Sequence, residues 1–557
     1  MKNALTGEPG PKEVASGKEA VCSSSHPIVT DTIMQILKDG GTAIDAGIAA
    51  CLLQPVLEPH MTTYAGSFSM LFYEAKTGKT HHLNSMGTLV PGMAPFRPLP
   101  PGLGGFVFPP PAQPPVACIP GFMPGLAEVF KRFATRSWEE LCAPAVHWAE
   151  EGHTVSSFEY SILEGMKSSN LYFPSGREFF TPDGFTPAAG QRFRNDKLAK
   201  TTKNLAKRGA EYFIEGEWAE HFIKEANRLG WNITRQHMSA IPPRWQDPLR
   251  FIFREFEVVQ LAPPEMIGAF CSLFMGILED LDLQGNIAAD AESFYYFGHV
   301  LRRVLWELGL LNDPLLFENP METWLSKDYQ RDIARILKNS RPKIDLTEHV
   351  HLNAGNIALA AAGLPATTPK DPPVPAGSCE ISIVDSQGNW LEMLNTIQSG
   401  GIPGMVVDGV HMWGSHAFAN MGSTIAGWLT GGGRNRCIIG HTMVCREGKP
   451  WLTMGTPGEP ILTVPQVLWH ILGLGMDPYE ATVLPRMWPL QDDYSVPVES
   501  RIDQDVVRKL TAMGIQVIPL SAYDFHFGSF QICWRDPKTG CLHSSADPRR
   551  CGKAGGF

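Results

Sequence analysis

In the stretch IVTDTIMQILKDGGTAIDAGIAACLLQPV, residues 28–56, apolar positions recur at intervals of three and four until Gly40-Gly41 interrupts them. This pattern predicts two helices with a glycine break between them. The next run, SFSMLFYEAKTGKTHHLNSM, holds two strand-forming segments around a Lys-Thr-Gly-Lys turn and predicts a hairpin. Residues 94–115 are too rich in Pro and Gly for regular structure and predict a loop or lid. From about 120 to 350 the pattern is mostly helical, with SWEELCAPAVHWAEEGHTV and DAESFYYFGHVLRRVLWELGLL as amphipathic examples.

A second Pro-rich segment, GLPATTPKDPPVPAG at 363–377, separates this helical part from a strand-rich remainder. There, ISIVDSQGNWLEMLNTI and HTMVCREGKPWLTMGT each predict a hairpin, on turns at Ser386–Asn389 and Glu447–Lys449. Helical patterns follow at 463–476 and 503–514, with a last pair of strands around Phe530 and His543. Helices and strands in separate blocks point to packed layers of sheet and helix rather than a doubly wound fold.

Composition narrows the function. A chain of 557 residues, 43% hydrophobic and 19% charged, can bury a large core, and its net charge of −10 argues against a nucleic-acid partner. The N-terminal residues lack the apolar run of a secretory signal, and no uninterrupted apolar stretch is long enough to span a bilayer. Eleven cysteines without CxxC pairs suit a reducing compartment, so the cytoplasm is the expected location.

Dinucleotide, P-loop, zincin and EF-hand patterns are all missing, so no cofactor is expected. His349 and His351 share a face if extended, but no third ligand stands at a suitable spacing, so no metal is expected either. Gly431-Gly432-Gly433-Arg434 reads as an anion cradle or, more simply, as a flexible loop. Ser378 is different, because it follows a Pro-rich loop and begins an alternating strand. A Ser hydroxyl needs a base, and if the bond before it is cut, its own α-amine, with a pKa of about 8, supplies one.

Flanking residues strengthen this reading. Ser24-Ser25-His26-Pro27, Gly40-Gly41-Thr42-Ala43-Ile44-Asp45-Ala46, Glu58-Pro59-His60, Ile119-Pro120-Gly121, and Ala143-Pro144-Ala145 with Ala149-Glu150-Glu151-Gly152 are distributed along the first part. Asp385-Ser386-Gln387-Gly388-Asn389, Gly455-Thr456-Pro457-Gly458 and Ala546-Asp547-Pro548-Arg549 follow. Together they resemble the signatures of the γ-glutamyltransferase (γ-glutamyltranspeptidase) family of N-terminal-nucleophile hydrolases, from about residue 20 to 550.

The resemblance implies an α+β fold, a four-layer αββα sandwich, in a precursor that cleaves itself. A large-subunit-like region, 1–377, and a small-subunit-like region, 378–557, would form one interlocked domain. Ser378 takes the place of the family's nucleophilic Thr, followed by Cys379-Glu380 where the family has Thr-His. Thr396 matches the second Thr that hydrogen-bonds the nucleophile, and the N–H groups of Gly458 and Glu459 match the oxyanion hole, with Glu459-Pro460 in place of Gly-Ser. Cys379 should point to the opposite face of the strand and pack.

The substrate-binding positions depart from the family. Its carboxylate-binding Arg-Glu and Ser-Ser pairs stand here as Met86-Gly87 and Cys437-Ile438, and its amine-binding stretch as Trp413-Gly414-Ser415-His416-Ala417-Phe418. A buried glutamyl carboxylate without its bidentate Arg would lose several kcal/mol. Met86, Trp413, Phe418, Cys437 and Ile438, with Ser415 and with Gln398 as a hydrogen-bonding group, therefore suggest an apolar or aromatic acyl group. The expected activity is amide hydrolysis or acyl transfer through an acyl-enzyme on Ser378. The alternatives are an unprocessed homologue that binds a ligand or partner without catalysis, and a member recruited to cleave an unusual bond such as C–C. The expected partners are a small-molecule substrate, the two fragments of the chain itself and a second copy, without nucleic acid or membrane.

Overall fold

The computed structural model describes residues 8–88, 90, 119–339, 377–397, 404–412, 433–434, 437–491 and 493–557. The predicted loops at 94–115 and 363–376, and His349 and His351, lie outside these residues.

Fourteen strands build the two large sheets. In the first part of the chain they are β1 (Ala15–Gly17), β2 (Val21–Ser24), β3 (Ser67–Glu74), β4 (Lys79–Ser85), β5 (Arg244–Gln246), β6 (Leu249–Phe253) and β7 (Phe256–Gln260). After residue 377 come β8 (Ser378–Val384), β9 (Trp390–Thr396), β10 (Thr442–Arg446), β11 (Lys449–Gly455), β12 (Gln531–Arg535), β13 (Leu542–Ala546) and β14 (Lys553–Gly556). One seven-stranded sheet runs β1-β13-β12-β11-β10-β7-β6, the other β14-β2-β8-β9-β3-β4-β5. Every neighbouring pair within them is antiparallel.

Helices cover the outer faces. The helices α1 (Pro27–Lys38) and α2 (Ala43–Leu57) pack on the second sheet, in one apolar cluster with Ile381, Ile383, Leu391 and Met393. On the first sheet lie α3 (Ile267–Leu281), α4 (Ala291–Glu307) and α5 (Pro460–Leu468), clustered with Val258, Met443, Leu452 and Ile532. The result is the αββα sandwich that the family resemblance implies.

The signature residues earn their places locally. Thr42 caps α2 by accepting from the Asp45 N–H, while Asp45 accepts from the Thr42 N–H at 3.0 Å and from the Thr135 N–H at 2.8 Å. Asp385, in the turn after β8, accepts from the N–H of Ala43 at 2.8 Å and so docks the β8–β9 hairpin onto the start of α2. All 15 residues of α2 are buried, which accounts for its nearly continuous apolar sequence.

Two expectations are refined. The stretch read as mostly helical contains β5–β7, which supply an edge to each sheet. The helical pattern at 463–476 begins earlier, at Pro460, and ends in a π-helical turn at Trp469–Gly473.

Candidate active site

Ser378 is the first residue of β8 and stands directly opposite Thr396, the last residue of β9. Alternation along β8 turns Glu380 and Ser382 toward the facing sheet: Ser382 Oγ stands 2.8 Å from the Gln531 carbonyl oxygen and 2.6 Å from Glu392 Oε1, two acceptors that share its one proton. Cys379 turns the other way, into an apolar cluster with Met61, Phe158, Ile397 and Cys551. It is fully buried, and burial pushes its thiol well above the ordinary range, so it stays a packing residue rather than a thiolate.

Ser378 Oγ lies 2.7 Å from Thr396 Oγ1 and 2.7 Å from the carbonyl oxygen of Gly377. That carbonyl also accepts from Thr396 Oγ1 at 2.9 Å and from the Ile397 N–H at 3.2 Å. The carbonyl of the Gly377–Ser378 peptide therefore has the Thr396 hydroxyl and the Ile397 N–H as donors, while the one proton of Ser378 Oγ is shared between that carbonyl and Thr396 Oγ1. Both hydroxyls are shielded, with Ser378 4% and Thr396 0% exposed. Close packing leaves no room for larger residues: a Cβ at Gly377 would lie 2.3 Å from Ile397 Cδ1, and one at Gly66 would lie 2.0 Å from the Thr396 carbonyl oxygen.

Gly458 sits in the turn that joins β11 to α5, with φ +82°, and a Cβ there would lie 2.7 Å from the Gly528 nitrogen and the His526 carbonyl oxygen. Glu459 follows it as the residue preceding α5. Its carboxyl is only partly exposed, and burial without a compensating charge pushes its pKa up to about 8. Gly455 lies across the sandwich from Glu380: a Cβ on it would lie 2.3 Å from the Glu380 carboxyl carbon. The end of β11 and the start of β8 thus approach one another, with the Gly458 turn three residues beyond that contact.

Arg550, which the sequence reading did not single out, ties the two parts together. It is buried, donates from Nη1 to the Ser378 carbonyl at 3.3 Å and from Nη2 to the Phe525 carbonyl at 3.2 Å. Phe525–Phe527 is the short turn against which Gly458 packs. Behind Ser378, on the Cys379 side, Glu58, His60 and Arg550 help to line a cavity of about 10 Å³, space for about one water molecule.

A family model described as gamma-glutamyltranspeptidase matches residues 29–557. The chain belongs to the γ-glutamyltranspeptidase family. Among the relatives is the glutathione hydrolase-like YwrD proenzyme of Bacillus subtilis (strain 168), 26% identical over 560 residues, with 98% of this chain and 100% of that protein covered. The glutathione hydrolase proenzyme of the same strain is 23% identical over 561 residues, covering 98% and 93%. In fold, the chain is similar to the crystal structure of cephalosporin acylase from Bacillus halodurans, with a TM-score of 0.79 and 22% identity over 99% of this chain and 98% of that one. As a γ-glutamyltranspeptidase-family member the chain is an enzyme of the N-terminal-nucleophile hydrolase and acyltransferase class.

Of the residues at the family's substrate-binding positions, Met86, Cys437 and Ile438 all fall in one apolar cluster, at 0%, 1% and 8% exposure. Gln398, Trp413, Ser415 and Phe418 lie outside the described residues. Arg434, weighed in sequence as part of an anion cradle, is buried and donates to the carbonyls of Met86 and Pro242, while its N–H donates to Asp313 at 2.8 Å. Asp313 in turn holds Arg244 through a bidentate pair at 2.8 and 3.1 Å.

Proposed function

We propose that the chain is a self-processing amide hydrolase or acyltransferase whose substrate carries an apolar acyl group in place of γ-glutamate. The observation that carries this reading is the set of donors on the Gly377 carbonyl oxygen. Hydrogen bonds from Thr396 Oγ1 and the Ile397 N–H polarise that carbonyl and would stabilise negative charge developing on its oxygen. Attack by Ser378 Oγ on the Gly377 carbonyl carbon transfers the acyl chain from nitrogen to oxygen. Water then hydrolyses the ester, leaving a Gly377 carboxylate and a free Ser378 amine. The large fragment is residues 1–377 and the small fragment residues 378–557.

In the mature enzyme the roles change. The Ser378 amine accepts the proton as Ser378 Oγ attacks the substrate carbonyl, and Thr396 Oγ1, at 2.7 Å, orients the attacking hydroxyl. The N–H groups of Gly458 and Glu459 stabilise the oxyanion, and water or an amine resolves the acyl-enzyme. Met86, Cys437 and Ile438 offer no cation to a carboxylate, and Arg434 is engaged by backbone carbonyls. Together with Gln398, Trp413, Ser415 and Phe418, these residues favour an aliphatic or aromatic acyl donor.

The test is a panel of anilides of aliphatic, aromatic and γ-glutamyl acids. We expect faster turnover of the apolar donors, an acyl adduct on the small fragment, and loss of both in Ser378→Ala. A preference for the γ-glutamyl anilide would overturn the substrate assignment. Activity that survives Ser378→Ala would overturn the nucleophile.

A further inference from the structure

Between the two sheets, on the face of β8 that carries Ser378, three side chains meet that no linear spacing brings together. Glu380 comes from β8, Glu392 from β9, and His441 immediately precedes β10. One ligand-capable atom from each lies within 4.8 Å of the others, and all three residues are 0% exposed. We propose that Glu380, Glu392 and His441 bind a divalent transition-metal ion such as Zn2+ inside the sandwich.

The geometry of each group supports this. His441 Nε2 lies 3.1 Å from the Ser69 carbonyl, which can only accept, so Nε2 carries a proton and Nδ1 is the ring atom turned to the cluster, where a neutral ring would offer its lone pair. Nδ1 stands 2.9 Å from Glu380 Oε1, yet the pair does not have hydrogen-bond alignment. Two ligands bonded at about 2.1 Å to one ion would lie about 3.0 Å apart at right angles, as in six-coordinate geometry, and about 3.4 Å apart around a tetrahedral ion such as Zn2+. Glu392 Oε1 accepts from Ser382 Oγ at 2.6 Å and Thr453 Oγ1 at 2.9 Å, which orients the carboxylate and leaves Oε2 directed at the cluster. Neither oxygen of Glu380 makes a well-aligned hydrogen bond among the described residues; the carboxyl stands beside the Ile381 N–H and the Glu392 carboxyl.

Charge argues in the same direction. Two buried carboxylates without a neighbouring Lys or Arg among the described residues are costly, and a divalent ion balances them with no protons required. One imidazole with two carboxylates suits Zn2+, Mn2+ or Fe2+ better than Ca2+ or Mg2+, which take oxygen ligands. Gly455 keeps the facing strand clear of the Glu380 carboxyl, since a Cβ there would overlap it. Glu380 is two residues from Ser378 on the same face of β8, roughly 7 Å along the strand. The ion would therefore pin β8, β9 and the start of β10 beneath the nucleophile without touching substrate.

Metal content is measured by plasma mass spectrometry on the full-length chain, purified without metal-affinity resin from zinc-supplemented medium and dialysed. We expect about one equivalent of bound metal per chain. Thr453→Val, which removes one hydrogen bond to Glu392 Oε1, is expected to weaken Zn2+ affinity about 10- to 100-fold with the circular dichroism spectrum unchanged. Glu392→Gln is expected to lose the ion. Folded wild-type chain holding less than about a tenth of an equivalent would overturn the proposal and leave the three groups sharing protons. Metal retained equally by wild type and both variants would place the ion elsewhere and overturn it too.

Discussion

At the position after the turn glycine, where the family has a small residue, this chain places a carboxyl group that holds its proton to about pH 8. Free Glu titrates near 4.5, so between those values the folded chain keeps a proton that the unfolded chain releases. The sign follows: stability is highest below about pH 4.5, falls as the pH rises toward 8, and levels off above it. Glu459→Gln should remove that slope, so denaturant unfolding at about pH 9 is expected to show the variant more stable than wild type, and at about pH 5 the two alike. Activity carries a second signature. If the Gly458 and Glu459 N–H groups form the oxyanion hole, as proposed, an ionised Glu459 beside them would oppose the charge they stabilise, so kcat/KM should fall as the pH passes about 8. The variant should lack that alkaline fall, and an identical pH profile for both proteins would remove Glu459 from the oxyanion site.

At the scale of elements, a buried ion network fixes the turn that Gly458 packs against. Arg549 pairs with Glu499 at 2.6 Å and with Asp547 at 3.0 Å, Arg486 pairs with Asp547, and Glu499 Oε1 accepts from the Asp524 N–H at 2.8 Å. The Phe525–Phe527 turn begins at Asp524. Arg549→Ala removes the guanidinium shared by two buried carboxylates, leaving Asp547 with Arg486 and Glu499 with the half-buried Arg501, and should cost about 1–3 kcal/mol, read as a lower denaturant midpoint; a change within about 0.5 kcal/mol would contradict that role. The hairpins β3–β4, β8–β9 and β10–β11 were legible in the sequence because each turn carries its own signal, such as Gly388 at φ +82° and Gly448 at φ +75°. The pair α1–α2 was legible from its apolar period and from Gly40, at φ +80°. Strands β5–β7 were not, because they are short, lie among amphipathic helices and gain their strand character from sheet edges formed far away in sequence. Ser378 and Thr396 could be aligned by motif. Arg550 and the Glu380, Glu392 and His441 cluster could not be found that way, since their partners arrive from separate strands and no residue spacing encodes them.

Across the whole molecule, strands from before and after residue 377 alternate within both sheets. In one, β13, β12, β11 and β10 lie between β1 on one side and β7 and β6 on the other; in the other, β8 and β9 lie between β2 and β3. Cleavage before Ser378 would break one peptide bond and leave the strand pairing intact, so the fragments should remain associated until the fold is denatured. Among the described residues no helix is long and apolar enough to cross a membrane, and every cysteine is a free thiol. The most direct test is the intact mass of the purified protein under denaturing conditions. We expect two chains, of 377 and 557 − 377 = 180 residues, from the wild type and from Ser378→Thr, and one uncut chain from Ser378→Ala. A wild-type chain that stays whole on long incubation, and stays whole as Ser378→Thr, would contradict an N-terminal nucleophile at this position.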